Sequence, residues 1–178
     1  MPGTNMKARN FFVMYHGPAY ILPSMISVET APSLSTVPVD LDLLRSLLQE
    51  VAAVESDRSV ALVSVILGPH ALVRKLNVAY LDHDYNTDVL AFNLSEAPDA
   101  PLEGEIYVDV ETAHERHAEF DTTVEHEVVR YAVHGLLHLL GHTDKTPAGQ
   151  SEMRTLEDHY VEQFATRTSS EAPASNNG

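Results

Sequence analysis

At 178 residues and 44% hydrophobic content, the chain suits one globular domain with its own core and is too short for two ordinary ones. It has no cysteine, which excludes disulfides and thiolate metal ligands and fits a reducing compartment. Its 26 acidic residues against 11 basic ones give a net charge of −15, the mark of a solvated, self-repelling surface of the kind found in salt-adapted proteins, and a balance that counts against polyanion binding by the surface at large.

Residues 1–24 show no clean period and read as an N-terminal extension. Their apolar stretch, Phe11 to Leu22, is broken by His16, Gly17 and Pro18 and falls short of the roughly 20 residues of a membrane span. A basic flank (Lys7, Arg9) without a small-residue cleavage pattern argues against a signal peptide, so the expectation is a soluble, cytoplasmic protein with no membrane partner. A single domain is expected over 25–167, with residues 168–178, small and polar, as a disordered tail.

Residues 25–30 (MISVET) suit an opening strand. Asp40 or Asp42 then caps a helix whose Leu43, Leu44, Leu47, Leu48, Val51 and Ala52 recur at helical spacing. The run 59–67 (SVALVSVIL) predicts a strand covered on both faces. Gly68 and Pro69 end it and lead into a helix over 70–81, followed by a strand over 87–94. In 104–110 (GEIYVDV) apolar Ile106, Val108 and Val110 alternate with polar neighbours, which predicts a half-exposed strand suited to a sheet edge. Two helices close the domain. The first, 122–141, opens on a capping box of Thr122 and Glu125. The second, 147–165, has Thr146 as N-cap, Pro147 in its first turn and a buried stripe of Met153, Leu156, Tyr160 and Phe164. The order is that of an α+β fold, a small mixed sheet packed with helices.

The chemistry concentrates in Tyr131 to Asp144 (YAVHGLLHLLGHTD). His134 and His138 are four apart, so on a helix their rings project from one face, a turn apart, and can take adjacent corners of a metal tetrahedron. Apolar residues surround them, which marks a central, buried helix. Gly141 then stops the helix and lets the chain turn back. In the metzincin pattern the third ligand lies three residues after that glycine, and Asp144 occupies the position here. The resulting His₂Asp set leaves a position for water, a zincin-like arrangement on a central metal-binding helix. Gly135, however, stands where metalloproteases carry their general-base glutamate, so the helix supplies no base and a close approach by other backbone is one reason for a glycine there.

Other polar residues read more plainly. His114 and His117 suit an exposed surface. Arg130, one turn before His134, could meet a substrate anion or pair with Glu125 or Glu127, and residues 86–88 (NTD) read as a turn.

The segment HGLLHLLGHTD resembles the signature H-G-x-L-H-L-x-G-Y-x-H of the YbeY family of bacterial endoribonucleases. KLNVAYLDHDYNTDVLAFNL and GEIYVDVETA resemble two further stretches of that family, and Met153 and Glu157 suit its closing helix; together the likeness spans about residues 60 to 165. The resemblance implies a zinc-dependent endoribonuclease acting on single-stranded RNA, in ribosomal RNA maturation and ribosome quality control, with one zinc ion per chain and no DNA partner. It implies a metal helix beneath the sheet with His134, His138 and Asp144 as ligands, aspartate replacing the usual third histidine. Thr87 and Asp88 match the family's T-D and are expected to bind substrate, with Arg130, among the cations Arg74, Lys75 and Arg130, as the further substrate-binding candidate. Two departures matter: His142 stands where the family has tyrosine, and Leu81 where it has an arginine, for which His83, Arg130 or Arg74 could substitute. Two other functions fit the same residues: a metallopeptidase of metzincin-like spacing, and a non-catalytic ribosome-assembly factor whose metal is structural, which a fourth protein ligand such as His142 would favour.

Overall fold

The computed structural model describes residues 25–171, so the extension expected over 1–24 lies outside the described residues. Three segments form parallel strands: β1 (Met25–Thr30), β2 (Val60–Gly68), with the most β-branched residues, and, later in the chain, β4 (Leu102–Asp109). Parallel neighbours need long crossovers, and α1 (Leu41–Glu55) and α2 (His70–Leu81) lie in them. Strand β3 (Val89–Asn93) pairs antiparallel with β4, giving the order β1-β2-β4-β3. The expected α+β architecture with a mixed sheet is what the chain adopts.

Alternation along the strands sorts the sheet into two faces. Ile26, Val28, Val63, Val65, Leu67, Ile106 and Val108 turn one way and are buried. Against this face pack α1, on β1, and α4 (Val124–Leu140), on β3 and β4; α5 (Pro147–Glu171) then packs on both helices. The repeat read in α1 is its buried stripe: Leu44, Leu47, Leu48 and Val51 are all fully buried, each contributing about 1.5–3 kcal/mol. Asp40 caps that helix, accepting from the amides of Asp42 and Leu43. On the opposite face α2 meets β3 and β4, where Tyr80 packs on Phe92 and Phe92 on Tyr107.

Several expectations need correction. Strand β4 is interior to the sheet, because half-exposure there comes from thin cover on the α2 face and not from an unpaired edge. The same thin cover leaves Leu62 of β2 exposed, so that strand is fully covered on one face only. Residues 110–120 hold a short helix, α3 (Val110–Arg116), and a 3-10 turn that the sequence did not announce. Asp109 caps α3 through the amides of Glu111 and Thr112. The cap of α4 is Thr123, accepting from the His126 amide, in place of the Thr122–Glu125 box. Helix α5 runs to Glu171, past the Arg167 limit where the disordered tail was expected to begin.

Candidate metal centre

Helix α4 lies tight against the sheet at Gly135. A Cβ built there would lie 2.7 Å from Ile106 Cγ2 and 3.0 Å from Val89 Cγ2, both on short β-branched side chains that cannot swing away. Side chains of the sheet, then, and not another backbone, explain this glycine. The same contact excludes the glutamate that a metallopeptidase would carry at this position. Six residues on, Gly141 ends the helix with φ +105°, a left-handed conformation that favours glycine. Its amide donates to the His138 carbonyl and the His142 amide to that of Leu137. This reversal carries Asp144 back over the helix end, so ligand atoms of His134, His138 and Asp144 all lie within 4.8 Å of one another.

Second contacts fix the two rings. His134 Nδ1 lies 2.7 Å from Glu157 Oε1, on α5, and His138 Nδ1 lies 3.2 Å from the His142 carbonyl oxygen. A carboxylate and a carbonyl only accept, so both Nδ1 atoms must donate. In the neutral pair each Nε2 then carries a lone pair, and these two atoms face each other at 2.9 Å. Only a proton or a cation between them makes that contact favourable. Asp144 Oδ2, 4.0 Å from His138 Nε2, adds negative charge on the same side. The donor set thus fits a metal ion, with the outer hydrogen bonds that metal-bound histidines ordinarily make. Burial disfavours the charged form of His134, but the Glu157 carboxylate outweighs it and raises the pKa above its ordinary value. Burial, then the neighbouring His134, lower that of His138 and keep it neutral. His142 turns its ring away, towards Glu55 and Glu152 at 3.8 and 3.7 Å, and is not part of the set.

Beside the trio opens a cleft made of two adjoining hollows. The near one, about 300 Å³, is lined by His134, Asp144, Asp88 and Arg154; the far one, about 340 Å³, shares Asp88, Arg130, Tyr131, Arg154 and Glu157 with it and adds Arg116 and Phe120. Asp88 therefore faces the centre from the start of β3, and Thr87 donates to it at 3.2 Å. Arg130 lines both hollows, but its charge is taken up by Asp158 at 2.7 Å, Glu157 at 3.4 Å and Glu127 at 3.8 Å. The Tyr131 hydroxyl is buried with no hydrogen-bond partner among the described residues, and burial beside Glu127 keeps it protonated far above the ordinary tyrosine range. Arg154, Arg116 and the Glu157 contact escaped sequence reasoning, because they come from α5 and α3, and no spacing links those helices to the histidines of α4. Arg74 and His83 are not among the residues lining the cleft: Arg74 pairs with Asp84 and His83 stacks on Tyr85.

A second group, His70, Asp109 and Glu111, also has ligand atoms close together. Its members are already satisfied. His70 bonds to Asp109 and to Glu115, Glu111 accepts from the His70 amide, and Asp109 caps α3. It ties α2 to α3. Among the described residues no helix is long and apolar enough to cross a membrane.

The family profile described as "Endoribonuclease YbeY" matches residues 34–165. Among similar proteins, the endoribonuclease YbeY of Salinibacter ruber is 51% identical over 131 residues, covering 69% of this chain and 82% of that one. That of Chloroherpeton thalassium is 33% identical over 99 residues, 56% of this chain and 69% of the relative. The solution structure of TM1509 from Thermotoga maritima superposes with a TM-score of 0.57 at 30% identity, over 86% of this chain and 99% of that one.

Proposed function

The chain belongs to the YbeY family, and from that premise we propose that it is a zinc-dependent endoribonuclease that cuts single-stranded RNA during ribosomal RNA maturation in the cytoplasm, with the ribosome as its partner. The observation that carries the metal assignment is the pair of Nε2 atoms, each left with a lone pair by a committed Nδ1 and facing the other at 2.9 Å beside Asp144. His134, His138 and Asp144 would hold the ion. Bound there, it would supply Lewis-acid polarisation of a phosphodiester oxygen and lower the pKa of a water molecule.

The chain's own residues do the rest. Glu157 and the His142 carbonyl hold the two imidazoles in the ligating tautomer. Because His142 points to Glu55 and Glu152, three protein ligands leave room for solvent, the arrangement of a catalytic site and not of a closed structural one. Asp88, steadied by Thr87, borders the place where the scissile phosphate would lie, and Arg130 locks α4 to α5 along the cleft floor. The test is cleavage of single-stranded RNA by protein stripped with chelator and then restored with zinc, beside His138→Ala. Activity that is lost, regained and absent from the variant is the expected result. Wild-type protein that binds zinc yet cleaves no faster than His138→Ala would overturn the assignment.

A further inference from the structure

The chain has 26 acidic residues and 11 basic ones, so a strand of phosphates must be met by a few well-placed cations. Most described arginines are committed elsewhere. Arg45 pairs with Asp42, Arg74 with Asp84 and Arg167 with Glu50, while Arg58 donates to the carbonyls of Pro98 and Ala100. Arg130 is held by three carboxylates.

Arg154 differs. On helix α5 its natural partners would be Glu157 and Asp158, three and four residues on. Both are engaged by α4, Glu157 with His134 and Asp158 with Arg130. Among the described residues Arg154 is left without ion pair or hydrogen bond, and its exposed guanidinium lines both hollows of the cleft. Across the far hollow stands Arg116, whose one carboxylate, Glu119, is exposed and 3.7 Å away. Its guanidinium lies over the Phe120 ring at 5.1 Å, and that ring is 56% exposed. An exposed aromatic beside an arginine is a surface on which an unpaired base can stack while the cation meets the backbone.

We propose that Arg154 and Arg116 bind successive phosphates of the RNA strand, Arg154 beside the metal centre and Arg116 farther out, with Phe120 stacking on the base between them. This deepens the endoribonuclease reading and rests on it.

The experiment is the binding of a 2′-O-methyl oligouridylate, its length checked intact after each titration, to zinc-loaded protein over a series of KCl concentrations. Arg154→Ala and Arg116→Ala should each weaken binding about tenfold at low salt and lower the slope of log affinity against log salt by about 0.7. Zinc content should stay unchanged in both, and Arg45→Ala, far from the cleft, should bind as the wild type does. Because both side chains are exposed, loss of folding does not obscure the result. If Arg154→Ala keeps wild-type affinity and slope while the wild type cleaves RNA in a zinc-dependent way, this proposal falls and the endoribonuclease reading stands. A wild type that binds no oligouridylate overturns both.

Discussion

Replacing Glu157 by glutamine isolates what the contact behind His134 contributes. The carboxylate accepts from His134 Nδ1 at 2.7 Å, and its other oxygen accepts from Arg130 at 3.4 Å. A charge-assisted bond of this kind contributes about 1.5–3 kcal/mol. Glutamine can still accept through its amide oxygen, so roughly half of that should remain, and zinc affinity should fall about five- to tenfold. Glu157→Ala, which removes the acceptor, should fall in the range of about 10–100-fold. Arg130 keeps Asp158 at 2.7 Å in either variant, so α4 and α5 stay joined and the metal-free protein should melt close to the wild type. The assay is competition for zinc against a chelator of known affinity at fixed pH. If zinc affinity is unchanged in both variants while RNA cleavage drops, Glu157 acts on the substrate and not through His134, and the reasoning fails.

Two further outcomes test the surrounding fold. Gly135→Ala gains about 1 kcal/mol of helix propensity but forces a Cβ to 2.7 Å from Ile106, an overpacking cost of about 1–3 kcal/mol; a lower melting temperature is expected, and a higher one would show that α4 can lift off the sheet freely. His70 titrates above its ordinary value: burial opposes its charge, but the bonds to Asp109 and Glu115 outweigh it. Its raised folded pKa means that the stabilisation is fully present below about pH 6.5 and is lost as pH rises through that folded value, so His70→Ala should cost more in urea unfolding at pH 5.5 than at pH 8.5, and the reverse order would contradict the assigned pairing.

The cluster of His134, His138 and Asp144 was legible because its geometry is local. Four-residue spacing, an apolar helix and a glycine stop are all properties of one short stretch, and the structure brings the ligand atoms of the three residues within 4.8 Å of one another. Helices α1 and α2 were legible from equally local signals, α1 from a capping aspartate and a clear period, α2 from the Gly-Pro break before it. Strand order was not. The alternation in β4 reports how one face is covered, not who its neighbours are, so an interior strand looked like an edge. Helix α3 buries only Val110, Thr112 and Ala113, too few positions to show a period among its acids and histidines. The cap of α4 slipped by one residue because Thr122 and Thr123 are adjacent and only the backbone chooses between them. Arg154 was invisible for a different reason. Its significance lies in what Glu157 and Asp158 do with helix α4, and no reading of α5 alone contains that.

The turn at Gly141 has a thermodynamic side as well. Because it brings all three ligand positions within His134 to Asp144, a denatured chain already carries the full donor set in one short, flexible stretch. Any affinity of such a chain for the ion would subtract from the stabilisation that binding to the proposed site confers. What the unfolded stretch lacks is Glu157, twenty-three residues from His134, which arrives only when α5 docks. Any gain in melting temperature on loading the proposed site with zinc would therefore report the contribution of that docking, and would understate the affinity of the folded site for the ion.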